Sequence, residues 1–554
     1  MRSFLEQLKA VNPTPEGRRW VFVPYDQLSD EIGPLAEEPA ESLGVILVES
    51  AARAARRPYH KQKLALVLAN LRHFALEQAA RGVAIRYIAT DASYRAALES
   101  LAGDHGGVRL MAPAERELRV ELAPLVEDGA LEIVPHGGWL TTRDQFERST
   151  SKGPPWRMDA FYRLVRRETG VLMEDDKPVG GKWSYDAENR KRWPGEPEAP
   201  ESPRFEPDDV THEVAELIES RFGHHPGRVD LSTLPTTGED ANQLWRWAVA
   251  NCLHHFGPYE DAMSTHSKSL FHTRISPLLN LHRLLPSHLV RETANLDAPL
   301  QSREGFIRQI LGWREFMRHV HNATDGFRDL PNGKATVKKR PGDGGWTRWT
   351  GEEWPHREDS PSGMGGAAPS ELDGDWPLPA TFWGQASGLA CLDRVVRDVW
   401  DDAYTHHIPR LMVLANLATL LGVRPRELTD WFWVAFADAY DWVVEPNVLG
   451  MGTFALGDLF TTKPYVSGAN YIHKMSDFCN DCRFDPKSTC PITPLYWAFL
   501  ERNRERLQGN PRMSLALRNV ERRAKEQREK DRQVFKRVRD HLDRGEELDS
   551  EIAT

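Results

Sequence analysis

The sequence predicts an α/β N-terminal domain with a parallel, Rossmann-like sheet over residues 1–150, followed after residue 211 by an all-α domain. Three observations carry this. At 554 residues the chain is too long for one hydrophobic core, because cores stop growing near about 250–300 residues. In the first part of the chain, short apolar runs alternate with helix-length segments, the pattern of a parallel sheet. Beyond Thr211 apolar residues recur at helical spacing almost throughout.

Trp20–Ser29 (WVFVPYDQLS) and Leu43–Ser50 (LGVILVES) read as strands bounded by turn residues, and Lys61–Arg81 reads as a long helix. Val83–Ile88, Gly107–Pro113 and Leu131–His136 repeat the strand pattern. A ligand of such a sheet belongs at the carboxyl ends of its strands. Residues 151–210 lose the strand signals and gain Pro, Gly and charge, as an ordered connector that starts with a helix. The second domain, 211–510, contains clear helices in GFIRQILGWREFMRHV (Gly305–Val320) and PRLMVLANLATLL (Pro409–Leu421). It is interrupted at 331–379 by a Gly-, Pro- and Trp-rich stretch too long and too aperiodic for a routine connection, which reads as a mobile surface insertion. Residues 511–554 form a charged helical tail.

Composition excludes several classes. No apolar run reaches the length needed to span a bilayer, and the N-terminus lacks the basic, apolar and small-residue series of a secretory signal. No membrane association is expected. Five cysteines in so long a chain rule out a disulfide scaffold and point to a reducing, cytoplasmic setting. The net charge of −10 argues against a protein coated with nucleic acid, yet Glu501–Gly545 holds fifteen Lys and Arg against eight Asp and Glu. Eighteen tryptophans suit either a large core or a protein that moves electrons.

Cys479, Cys482 and Cys490 form C-x2-C-x7-C followed by Pro491, and Cys391 lies upstream on a helical pattern. Four thiolates can close one metal site. C-x2-C and a terminal Cys-Pro are marks of iron–sulfur ligation, while a four-cysteine zinc site uses the same ligands but normally two C-x2-C knuckles. Spacing alone leaves an iron–sulfur cluster, zinc and buried free thiols open, in that order. Cys252 reads as a small buried hydrophobe.

Thr462–Arg504, which contains three of these cysteines, and Met158–Arg190 resemble the signature runs of the iron–sulfur bacterial cryptochromes and photolyases, in the prokaryotic (6-4) photolyase-like branch. Gly305–Phe316, Ala403–Met412 and Phe436–Met451 extend the similarity over nearly the whole chain. The resemblance implies a photolyase/cryptochrome architecture, with an antenna-type first domain and a helical FAD-binding second domain. It also implies a 4Fe-4S cluster on Cys391, Cys479, Cys482 and Cys490, and a lumazine-type antenna chromophore. Two departures stand out. The family's Gly-Asp-Gln-Leu reads Tyr25-Asp26-Gln27-Leu28 here, in the turn near the antenna pocket of relatives that bind a lumazine. The interval from Cys482 to Cys490 is also shorter than in relatives, so that loop must be tighter.

The implied function is light-dependent repair of (6-4) pyrimidine photoproducts in UV-damaged DNA by a monomeric lyase. A cryptochrome-like photoreceptor signalling through a partner is the alternative. His272, Thr273 and Ser276 are then cofactor-binding candidates, although without the family Ser276-Pro277 is only a helix start. Arg314, Arg410, Asp438 and Asn447 match flavin-side positions, with Arg410 and Asp438 as an ion pair. Trp431 and Trp383 match relay tryptophans and Tyr471 another aromatic near the pocket. Phe432 stands where a relative has tyrosine, and a phenyl ring cannot pass an electron as a phenol can.

His406 and His407 are adjacent and, at about 100° per residue, cannot both face one side of a helix. His407 matches the proton donor of (6-4) photolyases, with His406 beside it. Trp313, Met451 and Tyr465 match residues lining the substrate pocket. Lys334, Lys338, Lys339 and Arg340, with the basic tail, are candidates for DNA backbone contacts.

Overall fold

The computed structural model describes residues 2–101, 107–355 and 364–553. Five parallel strands form one sheet: β1 (Arg19–Phe22), β2 (Leu43–Ser50), β3 (Ala84–Thr90), β4 (Val108–Met111) and β5 (Leu131–Val134), in the order β3-β2-β1-β4-β5. All eight residues of β2 are buried, as expected for a central parallel strand covered on both faces. The strand expected over Trp20–Ser29 is shorter in the fold. The regular strand ends at Phe22, and Pro24, which has no amide to donate, leads into a turn. Strand order reverses between β1 and β4, so the turn carrying Tyr25 lies at the switch point where ligands of such sheets bind.

Helix α1 (Lys61–Ala80) is buried along most of its length, because it packs between the sheet and the helical domain. Its Lys63 donates to the carbonyls of Trp433 (3.1 Å) and Ala439 (2.6 Å). The two domains share one continuous hydrophobic core. Polar ties fix their orientation, including Thr141 Oγ1 to Glu315 Oε2 (2.7 Å) and the Glu117 amide to Asp441 (3.0 Å).

The second domain is helical, as expected, with one systematic irregularity. Residues Arg308–Arg314, Pro409–Ala415 and Glu445–Gly452 are wound as π-helix rather than α-helix. Pro409 and Pro446 sit near the start of two of these segments, where each removes an amide from the regular ladder.

The reading of 331–379 as a mobile surface insertion needs correction for its described part. Trp346, Trp354, Trp376 and Leu378 are buried. The Trp354 indole donates to the Ala55 carbonyl (3.0 Å) and that of Trp376 to Asp543 (3.0 Å). Indoles of this size bury enough apolar area to anchor a segment without regular structure. Residues 356–363, within the same stretch, lie outside the described residues. Lys334, Lys338, Lys339 and Arg340 are exposed.

The tail folds back onto the body. Helix α2 (Lys525–Asp543) packs Val534, Val538 and Leu542 inward, and Arg532 pairs with Glu501 (2.8 Å). Beyond it, Leu548 is fully buried and its amide donates to Ser387 (2.9 Å), just ahead of the helix that carries Cys391.

Candidate active site

A cavity of about 330 Å³ lies in the helical domain, walled by its π-helical segments. They contribute Trp313 and Arg314, then Arg410, then Asn447 and Met451. A π turn inserts one residue per turn and so re-aims the side chains beyond it, which explains why such turns gather at functional sites. The loop before Ser276 supplies His272 and Thr273, both lining the cavity. Its Leu270 and Arg274 adopt left-handed φ values of 45° and 56°, conformations that cost energy for side-chain-bearing residues.

Arg410 and Asp438 form the expected pair, bidentate at 2.9 and 3.0 Å, and the Ser276 hydroxyl donates to the same carboxylate (2.6 Å). Burial alone would raise the Asp438 carboxyl, but Arg410 and Ser276 hold it below its ordinary value, so it stays charged. Ser276 is the first residue of a short helix and makes no capping bond; Ile275 stands at the cap. Arg314 is sandwiched against the Trp139 ring (4.2 Å) and the Trp442 ring (5.2 Å). Burial pushes it down to about 10, which leaves it protonated at neutral pH. Asn447 lines the cavity and donates to the Val443 carbonyl (2.7 Å).

Both adjacent histidines reach the cavity, but unequally. His406 is buried and stacks on His272 at 4.1 Å, while His407 is exposed to the open space. Burial pushes the His406 ring well below the ordinary imidazole value, and His407, though open to the cavity, is held below it by its enclosure on the protein side together with His272, Arg308 and Arg410. His272 Nε2 bonds the Glu260 carbonyl (3.1 Å). The three rings cluster, yet the parallel stack of His272 and His406, 13° apart, keeps their in-plane lone pairs from converging on one ion. Tyr465 and Tyr471 are not brought to the cavity wall. The Tyr471 hydroxyl donates instead to Asp261 (3.1 Å), and its pKa is raised by burial and that carboxylate.

Trp431 is fully buried behind Phe432, which lines the cavity. Trp431 and Trp383 make no ring contact with each other. Trp400, which sequence reasoning missed, touches both: 6.0 Å from Trp431 and 5.0 Å from Trp383. The only signal in the sequence was its position on a helical pattern, shared with many core tryptophans.

Cys391 sits at the start of helix α3 (Ala390–Asp402), and Cys479, Cys482 and Cys490 converge on it from the later loop. Burial pushes the Cys391 thiol up, and the three other thiols push it further. Four thiols gathered in this way are a donor set suited to a single metal ion or to an iron–sulfur cluster. The loop between Cys482 and Cys490 is tightened by Asp485, whose side chain accepts from the amides of Lys487 and Ser488 (both 2.9 Å). Cys252 is buried apart from these, as expected.

At the switch point of the sheet the space is nearly filled. Tyr25 accepts from Arg53 (2.9 Å), donates to Glu115, and stacks between Tyr94 and Tyr440. What remains is a cavity of about 70 Å³. Pockets that hold small organic ligands run to about 300–1,000 Å³. The residues around Tyr25 therefore leave no room for a lumazine-type antenna at this position.

A model of the family described as deoxyribodipyrimidine photo-lyase-related protein matches residues 21–233. A (6-4) photolyase of Agrobacterium fabrum (strain C58) is 32% identical over 514 residues, covering 89% of this chain and 94% of that one. The chain belongs to the iron–sulfur bacterial cryptochrome/photolyase family. An uncharacterized protein of Acanthamoeba polyphaga mimivirus is 33% identical over 105 residues, 19% of this chain and 82% of its own length. The crystal structure of a bacterial class III photolyase from Agrobacterium tumefaciens superposes with a TM-score of 0.53 at 16% identity, covering 96% of this chain and 99% of that one, and so shares the fold.

The family implies FAD in the helical domain, and the cavity fits it. Its walls combine apolar side chains with one charged Arg–carboxylate pair, and two buried polar atoms there, Arg314 Nε and His406 Nδ1, have no partner within the protein. Buried polar groups normally find partners, so unpaired ones beside a cavity point to a ligand.

Proposed function

We propose that this photolyase-family protein repairs (6-4) pyrimidine photoproducts in DNA under blue light, with FAD as its only chromophore and a 4Fe-4S cluster on Cys391, Cys479, Cys482 and Cys490. The observation that carries the reading is His407, a histidine open to the same cavity that holds the Arg410–Asp438 pair. When bound, FAD supplies a light-driven one-electron transfer to the lesion and regains the electron at the end of the cycle. Arg410 and Arg314 place positive charge beside negative charge on the cofactor. His407 donates and retrieves the proton that accompanies transfer of an oxygen-bearing group between the two pyrimidines. Trp313 and Met451 supply an apolar wall for a base flipped from the duplex, at a cost of a few kcal/mol that is least at damaged sites. Exposed Lys334, Lys338, Lys339 and Arg340, with the basic tail, offer phosphate contacts.

The test is His407→Ala assayed with duplexes carrying either a (6-4) photoproduct or a cyclobutane dimer. Loss of a general acid removes about two to four orders of magnitude of rate. We expect (6-4) repair to fall by that much while binding to damaged DNA changes far less, since phosphate contacts dominate affinity. A parent protein that repairs only cyclobutane dimers would overturn the (6-4) assignment, and one that repairs neither would favour the photoreceptor reading.

A further inference from the structure

A second cavity, of about 530 Å³, lies between the two domains at the carboxyl ends of β4 and β5. Its wall includes Arg119 from the helix after β4, His136, Trp139 and Leu140 from the loop after β5, and Arg318 and Asn322 from the helical domain. It shares no lining residue with the space around Tyr25 or with the cavity of the helical domain, and the repair chemistry leaves it unused.

The polar groups of this wall are donors short of acceptors. Arg119 donates to the Pro113 and Ala114 carbonyls (3.1 and 2.6 Å) and forms no ion pair among the described residues. Arg318 reaches the Thr141 carbonyl (2.9 Å) and Glu315 (3.4 Å), yet its buried Nε has no partner within the protein. His136 accepts the Gly138 amide on Nδ1 (3.0 Å), which puts the proton of the neutral ring on Nε2, a buried group that also lacks a partner. Asp325, a carboxylate on the same wall, is already bidentate to Arg116 (2.7 and 2.9 Å). The helix Arg116–Glu127 starts here without a side-chain cap and adds the positive end of its dipole.

Buried donors without acceptors beside open space call for an anion rich in acceptor oxygens. A phosphate group is such an anion, and a guanidinium matches its geometry. Inorganic phosphate would leave most of the 530 Å³ empty, whereas pockets for small organic ligands run to about 300–1,000 Å³. The exposed Asn322 carboxamide offers a donor and an acceptor side by side, the pair that reads the edge of a base. We propose that the interdomain cavity binds a nucleotide, its phosphates held by Arg119, Arg318 and His136 and its base set against Leu140 with Asn322 at its edge. The site stands independently of the chemistry proposed for the other cavity, although Trp139 joins the two: Arg318 (4.4 Å) and Arg314 (4.2 Å) both lie against its ring.

Equilibrium dialysis of labelled ADP against the purified full-length protein, cofactors bound and kept in the dark, tests this. We expect a single saturable site with flavin retained, so that ADP is not entering in place of FAD. Arg119→Gln and Arg318→Gln should each weaken ADP binding about ten- to hundredfold, the loss expected for a hydrogen bond to a charged group, with flavin content unchanged. Asn322→Ala should weaken ADP binding without affecting ribose 5-phosphate. Should Arg318→Gln fail to fold, Arg119→Gln and Asn322→Ala decide. Absence of ADP binding, or binding that survives Arg119→Gln and Arg318→Gln unchanged, overturns the site. Ribose 5-phosphate or inorganic phosphate bound as tightly as ADP overturns the nucleotide assignment, as does a ligand without phosphate retained by the same residues. Purified parent lacking flavin would overturn the proposed function and leave the response of ADP binding to these variants as the measure of this site, so the two failures are distinguishable.

Discussion

His407 occupies an environment that lowers its proton affinity. His272, Arg308 and Arg410 face it from three elements, His406 adjoins it, and among the described residues no carboxylate pairs with it to compensate. A ring whose pKa is depressed keeps its proton only below that lowered value and loses it as pH rises through it, so in the free protein the imidazole is neutral at pH 7. If the acid form is the one that works, kcat/KM for (6-4) repair should fall about tenfold per pH unit through neutrality, because the active fraction shrinks in that proportion. The measurement is a pH–rate profile from about 5.5 to 8.5, a range that brackets the ordinary imidazole pKa. A flat profile would show that the neutral ring does the work or that bound DNA restores its proton.

At the scale of single elements, the turn after β1 decides whether the sheet holds a second chromophore. A glycine there would leave the switch point open; Tyr25 closes it with a ring stacked between Tyr94 and Tyr440 and a hydroxyl tied to Arg53 and Glu115. The parent should therefore not quench the fluorescence of added ribityllumazine, and its repair action spectrum should follow the flavin alone. Tyr25→Gly should open the site and bind the lumazine at some cost in stability, about 3–5 kcal/mol by analogy with removal of other buried aromatic rings. Stoichiometric lumazine in the purified parent would refute closure. The π-helical segments act at the same scale. Glu445, at the start of the third, bonds His321 (2.8 Å) and Arg426 (2.7 Å), tying it to the helices on either side.

Across the whole molecule, the four cysteines join pieces of chain nearly a hundred residues apart, and the tail closes over them through Leu548 on Ser387. Metal binding at such a site is also folding energy. Cys482→Ala should lose iron and sulfide, lower the melting temperature and reduce solubility, as read by metal analysis and thermal unfolding of anaerobically purified protein. Zinc in place of iron in the parent would reject the cluster. Among the described residues no helix is long and apolar enough to cross a membrane.

The periodicity of the chain determined much of this protein. Strand runs such as Leu43–Ser50 and the helix from Lys61 were legible because burial on two faces or along one stripe leaves a local pattern. Eleven of the candidate residues that meet at the cavity, among them His272, Arg410 and Asp438, were legible only through resemblance, since a lone histidine or arginine on a helix carries no local mark of a site. Tertiary structure alone decided the rest. Trp400 came to lie between Trp431 and Trp383 because segments far apart in sequence pack together there. Tyr465 and Tyr471 fell outside the cavity, and the tryptophans of 331–379 turned inward rather than lying on the surface. Sequence spacing fixes which residues share a face of one element, whereas contacts between elements depend on packing angles and on irregular turns such as the three π-helical segments, which periodicity does not encode.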